Sequence, residues 1–289
     1  MTAVRRLIVS GDDFGVAAEV NAGIERAHAG GILTSTSLMV TGEARDDAVA
    51  RARTYPRLAV GLHLVLAQAR PASPPSAIPR LVGGGPAFGD QPILNGLRYF
   101  WAWCSQVGRA QLEREVDAQL AAFAATGLPL AHVDGHLNMH LHPMVLPIVV
   151  RLAPRYGIRA VRLSREDLRR ALRHDRRHAV RKSFEHVVFQ TLSRLAAPRL
   201  RAAGIATADR VYGMHQTGHV DEPYLLDLLA ALPEGTSEVY AHPALGRAAA
   251  MARWQPGYDP AGELRALTSV RVRAAVDARG VDLVSYRDV

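Results

Sequence analysis

Residue types that can do chemistry stand at five separated places: Asp12-Asp13, His63, His136 with His140, His215 with His219, and His242. Each follows an apolar run that reads as a short strand. Two adjacent carboxylates repel, so Asp12 and Asp13 need a cation, a shared proton or solvent. One Asp and two His form a facial set that holds a divalent ion and leaves positions open for water and substrate. The donors suit Zn or Mg, and Mn, Co or Ni are compatible with them. Each residue also has a plainer use. The Asp pair could make an Asx-turn and a helix cap. His63, between leucines, could be a core histidine. His140 and His142 could decorate a turn before Pro143, and His242-Pro243 could be a strand end. Four independent strands that all end in ligand-type residues favour one metal site over four coincidences.

Within His132-Val133-Asp134-Gly135-His136, strand alternation puts His132, Asp134 and His136 on one face. His136 lies nearest the carboxyl end and is the better ligand. Asp134 is placed to orient it. His140 falls beyond the strand. Arg162, at another strand end, can pair with a carboxylate or a sugar oxygen, or form a structural salt bridge.

The elements that must position these residues alternate in type. Leu7 to Val9 is a strand, with Asp12 and Asp13 where it leaves the sheet and a helix from about Ala17. Strands follow at Ile32–Val40, Leu58–Leu64, Leu130–Met139, Ile158–Leu163, Arg210–His215, Ser237–His242 and Val281–Tyr286, with helical stretches between them. This rhythm predicts a single-domain α/β fold over residues 1–289, an irregular (β/α) TIM-like barrel of about seven parallel strands. In such a barrel the strand ends converge on one face. Residues 67–95, rich in proline and glycine, interrupt the rhythm and read as an inserted loop covering the site. Gly96 to Ala125 reads as helical, and the basic segment 165–203 as two or three helices.

Composition narrows the class. The chain has 289 residues, 48% of them hydrophobic, and no window reaches the roughly 18 unbroken apolar residues of a membrane span. The N-terminus runs almost directly into a strand, so no signal peptide is expected. One cysteine, Cys104, excludes an internal disulfide and suits a reducing cytoplasm. The net charge of +8 comes almost wholly from arginine, since Lys182 is the only lysine. The densest cluster, Arg165 to Lys182, reads as a solvated helix face. No RNP pattern, zinc finger or Gly-X-X-Gly clamp accompanies it, so nucleic acid is not an expected partner.

On these residues the chain resembles the YdjC/ChbG-like carbohydrate deacetylases. The matching pieces are Gly11-Asp12-Asp13-Phe14-Gly15, Thr34 to Met39, Gly61-Leu62-His63-Leu64, and His132 to His136 with His140. Glu238 to Ala244 and the terminal Ser285 to Val289 follow in the family's order. Gln91 to Arg114 and Phe123 to Leu130 look most like the hopanoid-biosynthesis-associated branch, HpnK. The resemblance implies one divalent metal ion held by Asp13, His63 and His136. Gly11 replaces the family's usual alanine, and Asn138 stands where many members carry another histidine.

The reaction so implied is removal of the N-acetyl group from an amino sugar. An amide is a poor electrophile with a poor leaving group, so both need help. A divalent ion polarises the carbonyl and acidifies a water. Asp12 is the candidate general base, with Asp134 as the alternative, and His242 is the candidate general acid. The branch implies N-acetylglucosaminyl hopanoid as substrate and glucosaminyl hopanoid as product. Tyr99, Phe100, Trp101 and Trp103 fit an apolar groove or a peripheral membrane contact as well as they fit ordinary packing. The expected location is the cytoplasm or the inner face of the membrane. Rival readings are a deacetylase of soluble chitooligosaccharides, a metal-dependent phosphoester hydrolase, and a non-catalytic carbohydrate- or lipid-binding protein.

Overall fold

Leu7, Ile8 and Val9 have no exposed surface, and burial of such side chains stabilises a strand by roughly 1.5–3 kcal/mol each. They form the middle of β1 (Arg5–Phe14), the strand on which the sheet is centred. The computed structural model describes residues 4–289. The other strands are β2 (Ser35–Leu38), β3 (Ala59–Leu64), β4 (Val133–Gly135), β5 (Arg210–Tyr212), β6 (Gly235–Ala241) and β7 (Val281–Val284). All pair in parallel in the order β4-β3-β2-β1-β6-β5, while β7 runs beside the first half of β1. Between β4 and β5 the described residues form the single bridges Val133 to Val161 and Ala160 to Ala206. The expected strand Ile158–Leu163 is reduced to these bridges. The sheet is thus a curled, irregular barrel of seven parallel strands with helices outside it, as the alternation predicted.

Side-chain alternation along β1 sorts the interior into layers. Leu7 and Val9 join the large core under the helices, whereas Ile8 packs inside with Ala59, Ala131, Ala160 and Tyr286. Above Ile8 the interior turns polar. Ser10 donates to Glu238 Oε1 at 2.7 Å, and Asp12 meets Arg162. His132 stacks on Tyr286 with ring centroids 4.1 Å apart. Gly61 makes room for it, since a Cβ there would stand 2.4 Å from the His132 ring.

Several elements differ from expectation. Asp12 and Asp13 lie inside β1 rather than beyond it. Residues 67–95 are not structureless: they contain a 3₁₀ turn (Pro75–Ala77) and a short helix (Pro79–Val82). Glu115 anchors them by accepting from the N–H groups of Ala72 (2.8 Å) and Ser73 (2.9 Å). The helical stretch after them begins earlier, at Pro92, and is two helices, Pro92–Trp103 and Gln106–Ala124. Ser105 breaks it by capping the second and accepting from Gly108 N–H. The basic segment holds two helices, Leu168–His174 and Ala179–Ala202. It is not one solvated face. Arg170 is buried against Asp227, and Lys182 against Asp175.

Candidate metal centre and active site

A regular strand would send Asp12 and Asp13 to opposite faces. β1 avoids this with a bulge. Gly11 pairs with Thr36 and Phe14 with Leu38, so two residues of β1 face one of β2. Asp13 takes up the extra length in the left-handed region, with φ 65°. Both carboxylates therefore reach the carboxyl end of the barrel, one below the other. The turn behind them is pinned by Asn21, whose Oδ1 accepts from Gly15 N–H at 2.7 Å and whose amide donates to Asp47. Gly42 is required there, because its Cβ would stand 2.1 Å from the Gly15 carbonyl oxygen.

At the upper level Asp13 meets two histidines. Its Oδ1 lies 3.1 Å from His136 Nδ1 and 3.4 Å from His63 Nε2. One donor atom from each of Asp13, His63 and His136 falls within 4.8 Å of the others, and all three residues are buried. His63 Nδ1, its other ring nitrogen, sits 2.8 Å from Asp134 Oδ1 and 3.0 Å from Ser37 Oγ. This is the outer-shell arrangement that fixes a ligating imidazole. The expected partner of Asp134 was His136; the structure gives it His63 instead. His136 Nε2 faces Gln68 Oε1 at 2.9 Å.

The electrostatics suit a cation. Burial opposes charge on His63, but Asp134, Asp13 and Asp12 outweigh it and push its pKa up to about 10. Burial also works against ionised Asp13, yet the charges and hydrogen bonds of His136 and His63 hold it well below the usual carboxylate range. A carboxylate and two imidazoles converging in a buried, negative setting fit a divalent ion. Asp12, His63 and Asp134 also approach within ligating distance, but Arg162 already neutralises both carboxylates.

Arg162 resolves the alternatives open for it. It is a buried hub of ion pairs, 1% exposed. Its Nη1 and Nη2 grip the two oxygens of Asp12 at 2.7 and 2.9 Å. It also lies 2.8 Å from Asp134 Oδ2 and 2.8 Å from Glu238 Oε1, with its guanidinium 4.4 Å over the Tyr240 ring. Burial disfavours the charge, but Asp12, Asp134 and Glu238 together raise its pKa well above the ordinary arginine value.

His242 follows β6 and faces the cavity that also contains Asp13. Burial lowers its pKa, against the attraction of Asp13 and Asp12. Its Nδ1 lies 3.9 Å from Glu263 Oε2, and Glu263 also accepts from the N–H of His242 and of Val220. Gln255 Nε2 donates to Asp13 Oδ2 at 2.9 Å. Residues 67–95 contribute at their ends: Gln68 touches His136, and Asp90 takes Trp254 Nε1 at 3.2 Å and pairs with Arg253.

Other histidines stand apart. His140 Nε2 faces the Arg162 carbonyl at 2.9 Å, and burial lowers its pKa to about 4. Asn138 adopts φ 56° and accepts from Ser164 Oγ at 2.6 Å. His215 is buried beside His186, with ring centroids 6.0 Å apart, away from the donor triad. Gln68, Gln255 and Glu263 carried no signal, because lone polar residues in a sequence do not reveal which of them a fold will bury together, and Glu238 was marked only as part of a motif, with no role.

Comparison with known proteins adds the following. The family model described as YdjC-like protein matches residues 6–278. A carbohydrate deacetylase of Brevibacillus brevis is 40% identical over 155 residues, 53% of this chain and 57% of that protein. A carbohydrate deacetylase of Geobacillus stearothermophilus is 39% identical over 163 residues, 56% of this chain and 62% of that protein. The chain thus spans about three fifths of the length of these curated relatives. A chitooligosaccharide deacetylase of Klebsiella pneumoniae is 32% identical over 292 residues, covering 99% of each chain. A solved structure of an Enterococcus faecalis protein named for cellobiose-phosphate cleavage superposes with TM-score 0.76 at 26% identity, covering 99% of each chain.

Proposed function

The chain belongs to the YdjC-like family, and from that premise we propose that it is a metal-dependent deacetylase that removes the N-acetyl group from an amino sugar. The observation that carries this reading is one constellation at one barrel mouth. Asp13, His63 and His136 form a donor triad, Asp12 lies below it in the grip of Arg162, and His242 faces it from another strand. A divalent ion held by the triad supplies the Lewis acidity that an amide needs. Asp12 takes the proton of the attacking water, and Arg162 fixes the orientation of its carboxylate. Both carboxylates pair with Arg162, but Asp134 also holds the His63 ring, whereas Asp12 makes no hydrogen bond to a candidate metal ligand, which favours Asp12 over Asp134 as base. His242 delivers a proton to the departing amine.

The finer reading is a lipid-linked substrate, N-acetylglucosaminyl hopanoid. Two exposed apolar stripes support it. Ile93, Leu94, Leu97, Phe100 and Trp101 on helix Pro92–Trp103 are 51–70% exposed, and Val180, Phe184 and Val187 on helix Ala179–Ala202 are 62–87% exposed. Both helices approach the turn His136–Leu141, which begins with the candidate ligand His136. With exposed Arg176, Arg177 and Arg181 nearby, they suit an anionic bilayer. No helix among the described residues is long and apolar enough to cross a membrane. A soluble chitooligosaccharide is the second reading, favoured by the Klebsiella relative.

Mass spectrometry of metal-loaded protein incubated with each substrate tests both. Loss of one acetyl group from the hopanoid, faster than from chitobiose, is expected. Asp13→Ala, His63→Ala and His136→Ala are each expected to lose bound metal and turnover together. Full metal occupancy in Asp13→Ala would sink the ligand assignment.

A further inference from the structure

A small cavity is lined by polar side chains, Asp13, His242 and Tyr258 among them, and by four apolar ones, Val20, Ala244, Ala248 and Met251. The four wall residues are buried, and their side chains offer no hydrogen-bonding group. An ordered water needs two to four polar partners, so the part of the cavity that these four line suits an apolar occupant. Its volume is about 20 Å³, and roughly 10–15 Å³ is enough for one water-sized group. There is room for one methyl group and little more.

The walls differ in how far they can yield. Val20 lies on helix Ala18–Gly30, which meets the chain after β6 almost backbone to backbone. A Cβ on Gly23 would stand 2.5 Å from Ala244 Cα, and Leu245 N–H donates to the Glu19 carbonyl at 3.0 Å. That side is fixed. Met251 comes from the short helix Ala249–Ala252 and is the largest of the four. The Gln255 bond to Asp13 ties this segment to the donor triad.

We propose that this recess receives the methyl of the acyl group being removed, and that Met251 restricts the enzyme to two-carbon acyl groups. The proposal rests on the deacetylase reading and deepens it. With the acyl carbon between Asp13 and His242, the methyl is the only apolar part of an N-acetyl group and this is the apolar space beside it.

The experiment compares kcat/KM for paired N-acetyl and N-propionyl forms of glucosaminyl hopanoid and of chitobiose, in metal-loaded protein and in Met251→Ala. One surplus methylene in an apolar pocket costs roughly 10–200-fold, and that preference for acetyl is expected of the unaltered protein. Met251→Ala should narrow it to under about fivefold. Ala248→Val, which fills the recess, should lower acetyl turnover by at least about tenfold at an unchanged melting temperature. Equal turnover of acetyl and propionyl substrates by the unaltered protein overturns the proposal, as does an unchanged ratio in folded Met251→Ala. Should neither amide be hydrolysed, the deacetylase reading fails instead. Saturation-transfer NMR then judges the recess: it stands if the acetate methyl receives magnetisation and propionate does not, and falls if the two behave alike or if Ala248→Val leaves the acetate signal intact.

Discussion

Two buried carboxylates, Asp12 and Asp134, share one guanidinium, and their remaining contacts separate their roles. Asp134 holds the His63 ring at 2.8 Å, whereas Asp12 lies 3.5 Å from Ser37 Oγ and touches no candidate metal ligand by hydrogen bond. Asp12→Asn is therefore expected to keep its metal and to lose about 10²–10⁴-fold in kcat. Asp134→Asn should loosen His63 and weaken metal affinity by about 10–100-fold. Metal content by plasma mass spectrometry beside steady-state kinetics checks both, and loss of metal in Asp12→Asn would reverse the assignment. Asp13, His63 and His136 were legible because each ends a recognisable strand. Arg162 was legible in part: its place at a strand end suggested a carboxylate partner, but charges normally stay in water, and nothing local announces that three distant carboxylates will surround this one.

At the scale of elements, the buried strands were read well because apolar runs such as Leu7 to Val9 have few alternatives. The insertions were read less well. Prolines and glycines in residues 67–95 predicted an irregular loop, yet Glu115, a partner some 40 residues away in sequence, supplies acceptors that anchor the segment. The aromatic start of helix Pro92–Trp103 was ambiguous for a similar reason: Tyr99 is fully buried with its hydroxyl on the Leu66 carbonyl, while Trp101, two residues on, is 70% exposed. The exposed face carries a prediction. The protein should co-sediment with anionic vesicles at low salt, and Phe100→Ala with Trp101→Ala should reduce the bound fraction by about tenfold or more. Indifference of binding to these substitutions, or none at low salt, rules this surface out as a membrane contact.

The whole molecule has an electrostatic weak point outside the site. Burial pushes Glu166 up to about 7, against the N–H groups of His215 and Gly213 and the Tyr224 hydroxyl. Because the folded pKa exceeds the unfolded one, the folded state binds the proton more tightly. The resulting stability is complete below about pH 4.5 and is lost as the pH rises through about 7. The full swing is on the order of 3 kcal/mol. Calorimetric melting from pH 4.5 to 8.5 should show the difference between the protein and Glu166→Gln shifting steadily toward the variant; a difference independent of pH excludes proton binding at Glu166 as the cause. The bulge in β1 distributes stability in the opposite sense. Asp13 occupies a backbone conformation that disfavours most side chains, costing roughly 1 kcal/mol or more, and every copy of the protein carries that strain. Glycine would adopt this conformation without that cost but would bring no carboxylate to the barrel mouth, so the position gives up stability in exchange for a charge the fold itself does not need.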